Sequence, residues 1–180
     1  MDDRLLPVIY LGILVVLLLV AGVLLLRQIL KTRRVETTFN RLQDKLNKEK
    51  GTAQEHYELG GILLDKKLYT LAIAQFQKAL KGKEQGGPEA IAPIYNALGF
   101  TYAAQEQYDL AIRQYKEALE LKPDYITALN NLGFVYEKKQ LIGQAIETYE
   151  AALKVDPKNA LAKRRGESLK KRFVPSTPST

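Results

Sequence analysis

Residues 92–125 read APIYNALGFTYAAQEQYDLAIRQYKEALELKPDY and residues 126–159 read ITALNNLGFVYEKKQLIGQAIETYEAALKVDPKN, one pattern written twice. Tyr95-x2-Leu98-Gly99-x2-Tyr102 returns as Leu129-x2-Leu132-Gly133-x2-Tyr136, so that position 99 maps onto 133. Ala111-x3-Tyr115-x2-Ala118 returns as Ala145-x3-Tyr149-x2-Ala152 at the same displacement, and Pro123 and Pro157 close the two units. An earlier copy reads His56-x2-Leu59-Gly60-x2-Leu63, then Ala72-x3-Phe76-x2-Ala79. The step from Gly60 to Gly99 is longer by five than the step from Gly99 to Gly133. The insertion falls around Lys81–Pro88, where Gly82, Gly86, Gly87 and Pro88 predict a loop. A fixed period of this kind marks an array whose units bury their apolar faces only against their neighbours.

The spacing resembles the tetratricopeptide repeat (TPR), W-x2-L-G-x2-Y…A-x3-F…P over about 34 residues, in which each unit is a pair of helices, A and B. Gly99 and Gly133 let the A helix come close to its neighbours, and Ala111 and Ala145 do the same for the B helix. The aromatic positions of Tyr102 and Tyr115 fill the wedge between paired helices. Proline ends each B helix because it cannot continue one. The first copy lacks the closing proline and the tyrosine before its A–B turn. The usual turn glycine is replaced by Lys67, Glu106 and Gln140, which predicts slightly irregular A–B turns and a looser junction between the first and second repeats.

Outward from the repeats, Leu5 to Leu26 carry no charge, and all but Pro7, Tyr10, Gly12, Ala21 and Gly22 are Leu, Val or Ile. At about 1.5 Å per residue such a helix spans about 33 Å, enough for a hydrocarbon core of about 30 Å. A cleaved signal peptide needs a basic start, a shorter apolar core and small residues at the cut. Here the start is Met1-Asp2-Asp3-Arg4 and Arg27 follows Leu26 directly. Arg27, Lys31, Arg33 and Arg34 crowd the C-terminal flank, so by the positive-inside rule everything after them stays on the cytosolic or stromal side. The predicted organisation is a translocated tail over 1–4, a transmembrane helix over 5–26 and a basic amphipathic linker helix over 27–52. Three repeats follow over 53–86, 92–125 and 126–159, then a basic capping helix over 160–173 and a disordered tail over 174–180. Val35, Phe39, Leu42 and Leu46 form the linker's apolar stripe, too short for a firm coiled coil. Leu161, Leu169 and Phe173 form the predicted apolar side of the capping helix, opposite Lys163, Arg164, Arg165, Lys170 and Lys171. The fold class is all-α.

Charge follows the same division. Residues 1–50 carry nine Lys/Arg against five Asp/Glu, residues 51–159 twelve against fourteen, and residues 160–180 six against one. The net +7 therefore belongs to the flanks and not to the repeats. Basic residues beside a membrane segment argue for lipid headgroups over nucleic acid. With no cysteine there is no disulfide framework and no thiolate site. The lone His56 occupies a large-residue slot of an A helix and is expected to be partly buried. Gly86-Gly87 lacks the Lys-Ser/Thr of a phosphate-binding loop, and Glu117 and Glu120 share a helix with Lys116 and Lys122 as solvated surface. These features predict no enzyme, cofactor, metal site or small-molecule substrate.

Resemblance to TPR proteins implies a partner-binding groove lined by inward A-helix positions. Carried over, these are Gln54, Tyr57, Gly61, Leu64 and Asp65, then Pro93, Asn96, Phe100, Ala103 and Ala104, then Thr127, Asn130, Phe134, Glu137 and Lys138. Tyr57, Leu64, Phe100 and Phe134 with the amides Asn96 and Asn130 favour an apolar or extended peptide whose backbone the amides pair. Lys138 is the one cation among them, which disfavours a clamp for an acidic C-terminus. The anchor, the insertion after the first repeat, the basic last helix and the Met-Asp-Asp start also resemble one family across nearly the whole chain. These are the thylakoid TPR proteins of cyanobacteria and plastids that assist photosystem I assembly. What that resemblance implies is an assembly or stability factor whose partners are photosystem I subunits or intermediates. The competing reading is a TPR receptor or recruitment module of another membrane system, in import, secretion or division.

Overall fold

The computed structural model describes residues 5–82 and 87–173. The predicted tails over 1–4 and 174–180, and the inner half of the inserted loop, lie outside them. The chain divides into two units, residues 1–49 and 50–180. The first is one helix, α1, Leu5–Lys48, which runs through Arg27 and the linker stripe without a break. Pro7 lies in its first turn, where the missing N–H has no intrahelical partner to lose. Large apolar side chains from Tyr10 to Leu30 stand 48–68% exposed, a continuous apolar surface that water does not tolerate. α1 is thus a candidate membrane span, long and apolar enough to cross a bilayer.

The second unit is a stack of helix pairs: α2 (Ala53–Asp65) with α3 (Tyr69–Lys81), α4 (Pro88–Ala104) with α5 (Tyr108–Leu121), and α6 (Ile126–Lys138) with α7 (Ile142–Val155). α8 (Ala160–Phe173) packs on α7. The A helices also meet one another, α2 with α4 and α4 with α6, and so line the inner side of the stack. Each pair closes on one contact between a glycine and an aromatic ring. A Cβ on Gly60 would lie 2.5 Å from the Phe76 ring, and one on Gly99 or Gly133 would lie 2.7 Å from the ring of Tyr115 or Tyr149. Those three rings are at most 1% exposed, and the alanines that flank them (Ala72 and Ala79, Ala111 and Ala118, Ala145 and Ala152) are fully buried. Burial pushes the Tyr115 hydroxyl well above the usual phenol range. Tyr149 is pushed up by burial and then by its bond to Glu137.

Two expectations are corrected. The A–B turns are not irregular. Lys67, Glu106 and Gln140 sit at φ 60, 60 and 59°, and the next residue in each turn donates its N–H back across it, Leu68 to Leu63 O, Gln107 to Tyr102 O and Leu141 to Tyr136 O, all at 2.9 Å. This is the Schellman closure normally made by glycine; here the satisfied carbonyls hold a side-chain-bearing residue in the left-handed region. The insertion is not all loop either. Pro88 starts α4 as its first residue, and at 17 residues α4 exceeds the 13-residue α2 and α6 by one turn. α2 itself opens on a capping box that the repeat pattern does not announce, with Glu55 N–H donating to Thr52 Oγ1 (3.2 Å) and Thr52 N–H to Glu55 Oε2 (3.0 Å).

The last helix is corrected as well. Its packing stripe is Ala162, Gly166 and Leu169, all buried, whereas Leu161 and Phe173 are 40% and 53% exposed. Ala162 and Leu169 stand one repeat length after Ala128 and Val135, both fully buried in α6. α8 therefore has the register of a further A helix, and it covers α7 with the same small and apolar positions. Asn159, 8% exposed, caps it through Oδ1 from the Ala162 N–H (3.1 Å) and donates Nδ2 to Asn130 Oδ1 (3.2 Å).

Candidate partner-binding groove

Two cavities lie along the inner side. One, of about 310 Å³, sits where the first repeat meets the second and is lined by Gln54, Tyr57, Pro93 and Ile94 among others. The Tyr57 ring leans on Phe76, centroids 5.9 Å apart. The other, also about 310 Å³, lies between the second and third repeats, with Phe100, Ala103, Ala104, Tyr108, Phe134 and Lys138 in its wall. The predicted aromatic row is thus split, with Tyr57 in one hollow and Phe100 with Phe134 in the other. Leu64 is half-buried on α2 and lines neither.

The two phenylalanines differ. Phe100 is 49% exposed. Phe134 packs against the buried core, and the Arg165 guanidinium lies 5.2 Å and the Lys138 ammonium 5.5 Å from its ring centroid. Arg165, expected on the solvent face of the capping helix, instead reaches inward to Glu137, Nη1 to Oε2 2.9 Å, and Glu137 Oε1 accepts the Tyr149 hydroxyl at 2.5 Å. The groove so gains a second cation beside Lys138, already paired with a carboxylate. No side-chain pattern within one repeat shows this. The signal is that Arg165 follows Ala97 and Asn131 at successive steps of one repeat.

The amides also have work within the stack. Asn96 Oδ1 accepts from Asn131 Nδ2 at 3.1 Å, and Asn130 Oδ1 from Asn159. The first ties the second repeat to the third and the second ties α6 to the cap of α8, and each amide still carries two N–H donors. His56 is half-buried, with Nδ1 2.8 Å from Gln75 Oε1. Among the described residues no group of three His, Cys, Asp or Glu could hold a metal ion. Arg27, Lys31, Arg33 and Arg34 are exposed on α1. What remains at the centre of the inner side is apolar, concave and bounded by amides, a shape suited to a polypeptide segment.

Comparison with known proteins agrees with the repeat register. TPR repeat and tetratricopeptide repeat family models match residues 99–140 and 126–159. The protein ycf37 of Cyanophora paradoxa is 42% identical over 141 residues, 78% of this chain and 81% of that protein. The chloroplastic TPR domain-containing protein PYG7 of Arabidopsis thaliana is 37% identical over 163 residues, 91% of this chain and 54% of that protein. Among solved structures, the APC/C hetero-tetramer Cut9-Hcn1 superposes with a TM-score of 0.70 at 22% identity, over 78% of this chain and 27% of that one, a likeness of fold alone.

Proposed function

The chain belongs to the family of the ycf37 proteins, and on that premise we propose that it is a membrane-anchored interaction factor that assists the assembly or stability of photosystem I at the thylakoid. It is a TPR module, a scaffold for binding protein. Anchorage rests on α1, whose apolar surface calls for lipid, and on Arg27, Lys31, Arg33 and Arg34, which hold the repeats on the cytosolic or stromal side. The observation that carries the binding role is Phe100, half-exposed above the hollow it shares with Phe134. A large ring left in water at the centre of a concave wall is the geometry of an interface anchor. The amides Asn96 and Asn130, with Tyr57 and Leu64 further along, flank the path an extended segment takes, and Lys138 marks its far end.

The test is affinity capture of the full chain from detergent-solubilised thylakoids, after the membranes have been washed in carbonate. The chain stays in the washed membrane and brings down photosystem I subunits, and Phe100→Ala weakens that capture about tenfold or more, the loss of an aromatic anchor. Release by carbonate contradicts anchorage. Retention with other partners and no photosystem I subunit favours a recruitment module.

A further inference from the structure

We propose that the outward face of α8 docks on anionic lipid headgroups of the membrane that α1 enters; this rests on the anchoring reading above. Opposite the buried stripe Ala162, Gly166 and Leu169, an open depression of about 510 Å³ is lined by Ala160, Lys163, Arg164, Glu167, Ser168 and Lys171. Lys163, Arg164 and Lys171 are exposed, and so is Arg172 on the next flank. Small Ala160 and Ser168 leave the floor low between long cationic stems. Glu167 is one turn from both Lys163 and Lys171, and the face keeps a surplus of positive charge.

Within residues 50–180 the positive charge gathers at this end. α8 carries six Lys/Arg against one Glu, whereas residues 51–159 carry twelve against fourteen. Arg165 and Lys170 are turned to Glu137 and Glu150 within the stack, so the outward surplus comes from the other four. No aromatic ring lines this open depression. That separates it from the groove, where a protein segment finds an exposed ring. A shallow basic face whose stems can lie along a surface matches a sheet of phosphate or sulfonate headgroups. The chain's own anchor keeps such a sheet at high effective concentration, so modest charge attraction suffices. Three Lys/Arg near an anionic surface shift the docking equilibrium on the order of 100-fold.

The chain has no cysteine, so Ser168→Cys gives a single thiol for an environment-sensitive fluorophore at the centre of this face. The labelled full chain is reconstituted into vesicles of phosphatidylcholine alone or mixed with phosphatidylglycerol, and retention after carbonate is recorded beside the emission spectrum. The expected result is a blue shift in the anionic vesicles only. It is lost in molar salt, where the screening length is about 3 Å, and lost in a Lys163→Gln/Arg164→Gln/Lys171→Gln variant of unchanged helical signal. A retained chain with equal spectra in both vesicles overturns the docking and leaves anchorage standing. A chain released by carbonate overturns both. The proposal also falls if the folded triple variant keeps the shift. In neutral vesicles, a shift produced by inorganic phosphate would make the face a free-anion site, and one produced by polyglutamate would make it a site for acidic polypeptide.

Discussion

The second and third repeats carry phenylalanine at the same inward position, and the two rings are used differently. Phe100 is half in water; Phe134 lies on the core beneath Arg165 and Lys138. Both repeats close on the same glycine-to-tyrosine contact, Gly99 on Tyr115 and Gly133 on Tyr149, and within them one difference bears on the rings: Lys138 lies over Phe134 where the second repeat has Ala104. The other difference is one repeat downstream. Asn131 follows the second repeat and turns its amide to Asn96, whereas Arg165, at the equivalent position after the third, reaches Phe134 and Glu137. In this stack the residue that follows one repeat later helps decide whether an inward ring faces water or protein.

The largest expected effect breaks what the two repeats share. Gly99→Leu and Gly133→Leu each force a side chain into a space where even a Cβ meets tyrosine at 2.7 Å. Each should cost about 3 kcal/mol or more and unfold the stack in thermal denaturation followed by circular dichroism. Next comes the difference itself. Phe134→Ala should destabilise by about 2 kcal/mol, since it removes partly buried ring area and two cation contacts. Phe100→Ala should change stability by less than about 0.5 kcal/mol, as exposed positions do. Equal losses would put both rings in the core. Arg165→Met removes one of the two cation contacts and should lower the cost of Phe134→Ala by about 0.5–1 kcal/mol.

Smaller effects follow in the turns and at the end of the stack. Glu106→Gly and Gln140→Gly relieve a left-handed backbone that costs a side-chain-bearing residue about 1–2 kcal/mol, against the entropy glycine loses on folding. Each should raise the denaturant midpoint by an amount equivalent to about 0.5–1 kcal/mol, the difference between those two terms. The smallest effect is at Glu150, whose carboxyl is held below the usual range by its hydrogen bond with Lys170 across α7 and α8. A carboxylate so lowered adds stability above its ordinary pKa and loses it as the pH falls through the lowered value. Both partners are exposed, so Glu150→Gln should cost a few tenths of a kcal/mol near neutrality and nothing in acid.

The repeat frame is readable in the chain because its two ends are rigid in type. Only glycine admits the ring, and the ring recurs at one fixed distance beyond it, Tyr115 after Gly99 and Tyr149 after Gly133. The turns are not readable in this way, because Lys67, Glu106 and Gln140 are ordinary residues in a glycine conformation, held by backbone bonds that composition does not display. The stripe of α8 is hidden for a related reason. Its buried members Ala162 and Gly166 are small, selected by size complementarity and not by hydropathy, while the large Leu161 and Phe173 stay about half exposed. The groove is legible as a set of positions. The split between Phe100 and Phe134, and the bonds that bind Asn96 and Asn130 into the stack, depend on side chains one repeat away.

The central claim is that the hollow at Phe100 holds another polypeptide. A photoreactive phenylalanine analogue placed at position 100 of the full chain, irradiated in thylakoid membranes, tests it directly. The account predicts an adduct with a photosystem I polypeptide. An adduct confined to this chain, with the hollow filled by its own residues, would contradict it.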